Sequence, residues 1–315
     1  MRHPGSLTYQ INHLLEAFCA FGESRDQAKR TSRKPGRWVG KIHSYGNFKR
    51  IRESAIPFAK FCKARYGVVD LRDIKPEMVG TYIAERTKIR SPHTVTADMQ
   101  GIKWIQYGLL KQGLICKPFI PENIKLPRRT GSPRAYTREE AAEICLGVAE
   151  EDPLVGRIIA IMLDAGLRLH EGINIRSDKI NLQCATIQVK GKGGRIRTIS
   201  LTDATRLTQL DLSREFPLKP LSTNSSARRK DQNLTRTVQR HVRKVCLERR
   251  IEPRGTHALR KCAAITYYER LIALGIDSVD ALDQTAQFLG HGAGRYPLLG
   301  KYLGPERVKA ARARH

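Results

Sequence analysis

Two arginines far apart in the chain each sit in a short motif: Arg168 in Gly166-Leu167-Arg168-Leu169-His170-Glu171, and Arg260 in His257-Ala258-Leu259-Arg260. A third motif, Lys190-Gly191-Lys192-Gly193-Gly194-Arg195, brackets Lys192 with glycines, and a fourth, Leu289-Gly290-His291, is followed eleven residues later by Tyr302. These are the side-chain types that breaking a phosphodiester without a metal would need. Charge builds on the non-bridging oxygens, and a guanidinium meets it with a planar fork of donors. A phenol can form an ester that keeps the bond energy for resealing. A lysine on a flexible turn can give a proton to a departing oxygen.

Each residue also has a plainer reading. Arg168 and Glu171 have the i,i+3 spacing of an ordinary helix ion pair. Lys192 can also be read as a solvated turn lysine, with Lys190 close by. His257 and Arg260 fit the start of a helix, His291 a helix end, and Glu171 a solvated surface.

The overall charge narrows the partner. Fifty-seven Lys and Arg against 30 Asp and Glu give a net charge of +27, and the pI is about 10.2. A chain this basic repels itself unless an anion neutralises it, and nucleic acid does so with release of counterions. An acidic membrane surface is the rival, but no long basic amphipathic helix stands out. The seven cysteines are scattered, odd in number and without a C-x-x-C pair. This argues against disulfides and thiolate zinc, and for small core residues in a reducing compartment. With no signal-peptide pattern and no apolar run of membrane length, a cytoplasmic protein with no membrane partner is expected.

The elements that would carry these residues follow from apolar spacing. Leu7, Ile11, Leu14, Leu15, Phe18 and Phe21 predict a first helix, and the basic stretch from Arg25 to Lys41 reads as an exposed connector or a DNA-facing one. Phe48, Ile51, Ala55, Phe58 and Cys62 predict a second helix, kinked or broken at Pro57. A third starts near Pro76 with Asp73 as a candidate cap, and a fourth runs from about Ser91 to Gly113. Prolines and basic residues from Pro118 to Arg134 read as a linker, and Thr137 with Glu140 as a capping box. Beyond it come an apolar helix over Leu154–Asp164, a β-hairpin over Ala185–Lys190 and Arg195–Leu201, and helices over Leu234–Arg249, His257–Leu274 and Val279–Leu289. The expected divisions are 1–42 (helix and basic connector), 43–117 (helical DNA-binding), 118–135 (linker) and 136–315 (catalytic).

The order G-L-R-x-x-E, a hairpin G-K-G, H-x-L-R, L-G-H and then Tyr resembles the tyrosine recombinase, or phage integrase, family, in a prophage or mobile-element subgroup. The resemblance covers the C-terminal domain and extends to the helical first domain and basic linker. It implies a mainly α fold with a small β-sheet: a helical core-binding (SAM-like) domain joined to an α+β catalytic domain, the two clamping double-stranded DNA. It implies DNA cleavage and rejoining through a 3′-phosphotyrosine, without metal, nucleotide or other cofactor. Four protomers would act on two DNA sites, and accessory DNA-bending proteins are allowed as partners. Arg168 and Arg260 would bind the scissile phosphate, Lys192 would protonate the leaving oxygen and Tyr302 would attack. His257 would assist with the tyrosine proton or bind phosphate, His291 would donate to a phosphate oxygen, and Glu171, one helical turn beyond Arg168, would support the residues that touch the phosphate.

The match departs at its end. The family's spacing from His291 falls on Gly300, so Tyr302 is two residues late and the alternative nucleophile, Tyr296, four early. An enlarged loop holding Gly292, Gly294 and Pro297 would absorb the difference, and Gly275–Asp283 also looks inserted. The basic tail, with Arg307, Lys309, Arg312 and Arg314, reads as a segment docking on a neighbouring protomer or as a frayed end. The rival functions are a DNA-binding or architectural protein on the same fold, a type IB topoisomerase-like enzyme, and a basic RNA-associated protein.

Overall fold

The computed structural model describes residues 5–24, 27–28, 31, 40–128, 131, 134–191, 196–219 and 227–313. Much of the basic connector within 25–41 and the residues 192–195 thus lie outside the described residues. The chain divides into two units, Met1–Gly131 and Ser132–His315.

The first unit is built from α1 (Leu7–Glu16), α2 (Tyr45–Tyr66), α3 (Pro76–Ile89) and α4 (Pro92–Lys111). Its core gathers Ile11, Leu15, Phe58, Cys62, Val79, Ile102 and Ile105, all essentially sealed from solvent. α1 stops at Glu16, so Phe18 lies past the helix and Phe21 is half exposed rather than on its buried stripe. α2 runs through Pro57 without a break. The carbonyl that proline leaves without a donor belongs to exposed Glu53, where water can serve it, while Ala55 and Phe58 bury into one core on both sides. Asp73 does not cap α3: it closes a single 3-10 turn, Leu71–Asp73, and Lys75 precedes Pro76 with no side-chain cap. Proline at the first helical position removes one of the donors a cap would satisfy. Ser91 caps α4, and Gly113, at φ 67°, follows its end. Phe119 is buried in this same core, and the Gln106 carboxamide oxygen accepts from the backbone N–H groups of Phe119 and Ile120.

The second unit starts with the capping box of Thr137 and Glu140 at the head of α5 (Arg138–Glu151). α6 (Pro153–Ala165) is apolar nearly all round, and Gly166 at φ 57° ends it. Its positive φ is not the only demand for glycine there: a Cβ would run into the Phe288 ring. The one-turn helix α7 (Leu169–Ile173) follows at once. A three-stranded antiparallel sheet then forms from β1 (Ile180–Asn181), β2 (Thr186–Lys190) and β3 (Ile196–Ser200), in that order. β1 is too short for an alternation to reveal it, so the expected hairpin gains an unforeseen third strand. After the short α8 (Thr205–Thr208), α9 (Ala227–Glu248) begins about two turns before Leu234, because its polar start carries no apolar period. α10 (Thr256–Ala273), α11 (Ser278–Phe288), α12 (Tyr296–Leu303) and α13 (Pro305–Ala313) complete the unit.

Pro297 opens α12 instead of lying in an enlarged loop. The tail is not frayed over its described residues. α13 buries Val308 and Ala311 within the second unit, and Ser278 Oγ donates to the Ala311 carbonyl at 3.0 Å. All seven cysteines are free; Cys62, Cys246 and Cys262 are buried as expected, but Cys116 and Cys184 are exposed. No helix among the described residues is long and apolar enough to cross a membrane.

Candidate active site

Gly166 ends α6, α7 starts three residues later, and Arg168 is the N-cap residue between them, so the two helices fix its backbone. The Glu171 carboxylate folds back onto that junction and accepts from the Arg168 backbone N–H at 3.0 Å and from the Arg168 guanidinium at 2.8 Å. The i,i+3 ion pair of the plainer reading therefore exists, but Glu171 is no surface residue: its side chain has 0% exposure. Arg260, near the start of α10, is equally sealed and reaches the same carboxylate at 3.4 Å. It also donates to the carbonyls of Gly166 and Leu289, which ties α6, α10 and the end of α11 together.

A third guanidinium completes the group. Arg197, on β3, donates to Glu171 at 2.9 Å with its side chain 10% exposed. One carboxylate thus serves three guanidiniums. Burial pushes the Glu171 carboxyl up, but the Arg197 hydrogen bond, the Arg168 backbone N–H and the charges of Arg197 and Arg260 outweigh it and hold the pKa at about 2. Burial, then the charge of Arg168, pull Arg260 down to about 10 against the opposing influence of Tyr302 and Glu171.

The proton-handling side chains surround this cluster. His291 Nε2 is 3.5 Å from an Arg168 terminal nitrogen. The Tyr302 ring lies 5.5 Å from the His257 ring and 5.9 Å from the His291 ring, centre to centre, and the Arg260 guanidinium sits 5.6 Å from the Tyr302 centroid. Burial, followed by the charges of Arg260, Lys261 and Arg168, depresses His257 below its ordinary value, so it is neutral at neutral pH. Arg168, Glu171, His257, Arg260, His291 and Tyr302 therefore converge. Tyr296 is elsewhere, under the Arg312 guanidinium at 5.1 Å. Lys192 lies outside the described residues.

The residue missed from sequence is Arg197. Its signal was present: in β3 it shares the inward phase with Ile199, and a charge on the buried face of a strand asks for a buried partner.

Glu171 gives this cluster a pH signature. Its folded pKa of about 2 lies below the ordinary 4.5, so its stabilising contribution is whole above pH 4.5 and is lost as pH falls from there toward 2. The full contribution is on the order of 3 kcal/mol. In urea unfolding, the stability gap between the native chain and Glu171→Gln is expected to shrink steadily below pH 4.5. A gap independent of pH would refute the assignment.

A comparison with family models matches residues 143–277 to the phage integrase family, a span that includes Arg168, Glu171, Arg197, His257 and Arg260. Over that span the chain is similar to the phage integrase family. Among curated relatives, the tyrosine recombinase XerC of Pseudomonas putida is 22% identical over 190 residues, 59% of this chain and 58% of that relative. The aligned region thus spans well under two thirds of XerC. Two solved structures share the fold. A lambda integrase dimer bound to a COC′ core site has a TM-score of 0.65 at 15% identity, over 95% of this chain and 81% of that one. XerH site-specific recombinase bound to a palindromic difH substrate, a post-cleavage complex, has a TM-score of 0.62 at 17% identity, over 99% of this chain and 97% of that one. The fold is that of the tyrosine recombinases: mainly helical, with one small sheet.

Proposed function

We propose that this chain is a site-specific DNA recombinase that cuts and rejoins strands through a 3′-phosphotyrosine on Tyr302. One observation carries the reading: Tyr302 and two histidines lie against a cluster in which three guanidiniums share one carboxylate. That surplus of buried positive charge suits a phosphodiester, whose own charge would balance it.

In the proposed step, Arg168 and Arg260 donate to the non-bridging oxygens and His291 to one of them. His257, being neutral, accepts the phenol proton. The Tyr302 oxygen bonds to phosphorus as the bond from phosphorus to the 5′ oxygen breaks, and Lys192 protonates that oxygen. The products are a 3′-phosphotyrosine and a 5′-hydroxyl. Attack by a 5′-hydroxyl reverses the step, and the ester conserves the energy needed for resealing. Arg260 has no exposed side-chain surface, so seating a phosphate against it requires the Tyr302 ring to shift aside.

The partner is double-stranded DNA, bound mainly through phosphate contacts and therefore more weakly as salt rises. The lambda integrase and XerH structures contain DNA. Four protomers on two sites, accumulating a Holliday-junction intermediate, complete the reading.

The test is a pool of nicked duplexes with a randomised core, in which loss of the short fragment beyond the nick prevents resealing. The native chain is expected to form an adduct that survives denaturant, and the DNA recovered from it defines the site. A DNA-binding or architectural protein on this fold gives no adduct. A type IB topoisomerase-like enzyme gives the adduct, but no recombinant product that depends on two matched copies of the recovered site.

A further inference from the structure

Arg197 is buried machinery without a role in the step above. β3 is fixed at both sides of it. Arg197 pairs across the sheet with Val189, and just past the strand Asp164 accepts from the backbone N–H of Thr202 at 3.0 Å and of Asp203 at 3.2 Å. The strand therefore cannot slide without moving its inward residues. From this anchored backbone the Arg197 side chain reaches Glu171, bonding Oε2 at 2.9 Å and lying 3.5 Å from Oε1. It also passes across the turn that carries His291. A Cβ on Gly290 would meet the Arg197 terminal nitrogen at 2.6 Å and its guanidinium carbon at 3.0 Å. The glycine of the L-G-H motif thus leaves room for this guanidinium as well as adopting φ 73°.

The arrangement is a poor one for stability alone. Among the described residues the buried Arg197 Nε has no hydrogen-bond partner, and the charge of the group is desolvated. An apolar side chain beside Ile199 would carry neither penalty. What the guanidinium supplies instead is direction. Glu171 accepts from the Arg168 guanidinium through Oε1, and its Oε2 accepts from both Arg197 and the Arg168 backbone N–H.

We propose that Arg197 is a positioning residue for strand cleavage: it locks Glu171 and the Gly290–His291 turn to β3, and so sets the approach of Arg168 and His291 to the scissile phosphate. The proposal rests on the recombinase reading. It differs from the phosphate-binding roles of Arg168 and Arg260, because Arg197 acts through Glu171.

The test uses the full chain and the duplex recovered from native adducts, made as a nicked substrate. Single-turnover adduct formation, DNA affinity and thermal midpoint are measured for Arg197→Gln and Arg197→Lys, and for Arg197→Gln in a Glu171→Gln background. Arg197→Gln is expected to slow adduct formation roughly 10- to 100-fold, with affinity within about twofold. Arg197→Lys should recover part of the rate, since it keeps the charge but not the fork. In the Glu171→Gln background the same change should cost less than about threefold, because its route is already cut. A native rate in Arg197→Gln, or an equal loss in both backgrounds, overturns the proposal while the recombinase reading stands. If Arg197→Gln does not fold, Arg197→Lys decides: a full rate overturns the proposal, and a slowed rate at unchanged affinity supports it. Failure of the native chain to form any adduct instead sinks the recombinase reading.

Discussion

Replacing Tyr302 with phenylalanine is expected to abolish the covalent adduct entirely while leaving the fold and DNA affinity in place. Tyr302 is only 7% exposed, packed beside His257 and His291 and over Arg260, and phenylalanine fills nearly the same volume. Only the hydroxyl is lost, and with it the group proposed to become the ester. Tyr296→Phe provides the contrast. Burial, and then the charge and hydrogen bond of Asp283, push the Tyr296 phenol up, so it is harder to ionise, and its ring lies under Arg312. Adduct formation by Tyr296→Phe is expected to stay within about threefold of native, since changes away from the reacting atoms have small effects. Denaturing gels after incubation with the nicked duplex measure both. An adduct from Tyr302→Phe would show that another residue attacks.

Arg168→Ala is expected to slow cleavage by a factor on the order of 100 to 1,000, the usual cost of removing one donor to a developing oxyanion. The loss should appear in the single-turnover rate more than in affinity, because many other cations contact the duplex. It should not appear as unfolding. Arg168 is 22% exposed, and without it Glu171 still has Arg197 at 2.9 Å and Arg260 at 3.4 Å. A rate unchanged by the substitution would remove Arg168 from the site.

Much of this site was legible because its residues are local punctuation. Gly166 must end a helix, so Arg168 is presented at a helix junction; Gly290 must turn the chain, so His291 follows a helix end. The apolar stripes of the first unit were equally readable, from Ile11 and Leu15 to Ile102 and Ile105. What stayed hidden is non-local. Glu171 looks like one half of an i,i+3 pair, and nothing in its neighbourhood announces Arg197, 26 residues away, or Arg260, 89 residues away. The Pro57 helix shows the same limit from the other side. A local breaker was overruled by packing that no window of sequence contains. Spacing along the chain likewise could not reveal the surroundings of the two tyrosines of α12: Tyr302 lies beside His257 and His291, and Tyr296 under Arg312.

Peptide mapping of the trapped adduct tests the central claim most directly. After incubation with the nicked duplex, denaturation, and nuclease and protease digestion, mass spectrometry locates the residual nucleotide. The account predicts that it is bound through a phosphate to Tyr302. A nucleotide on Tyr296 or on any other side chain, or no covalent product from a folded chain that binds the same DNA, would contradict it.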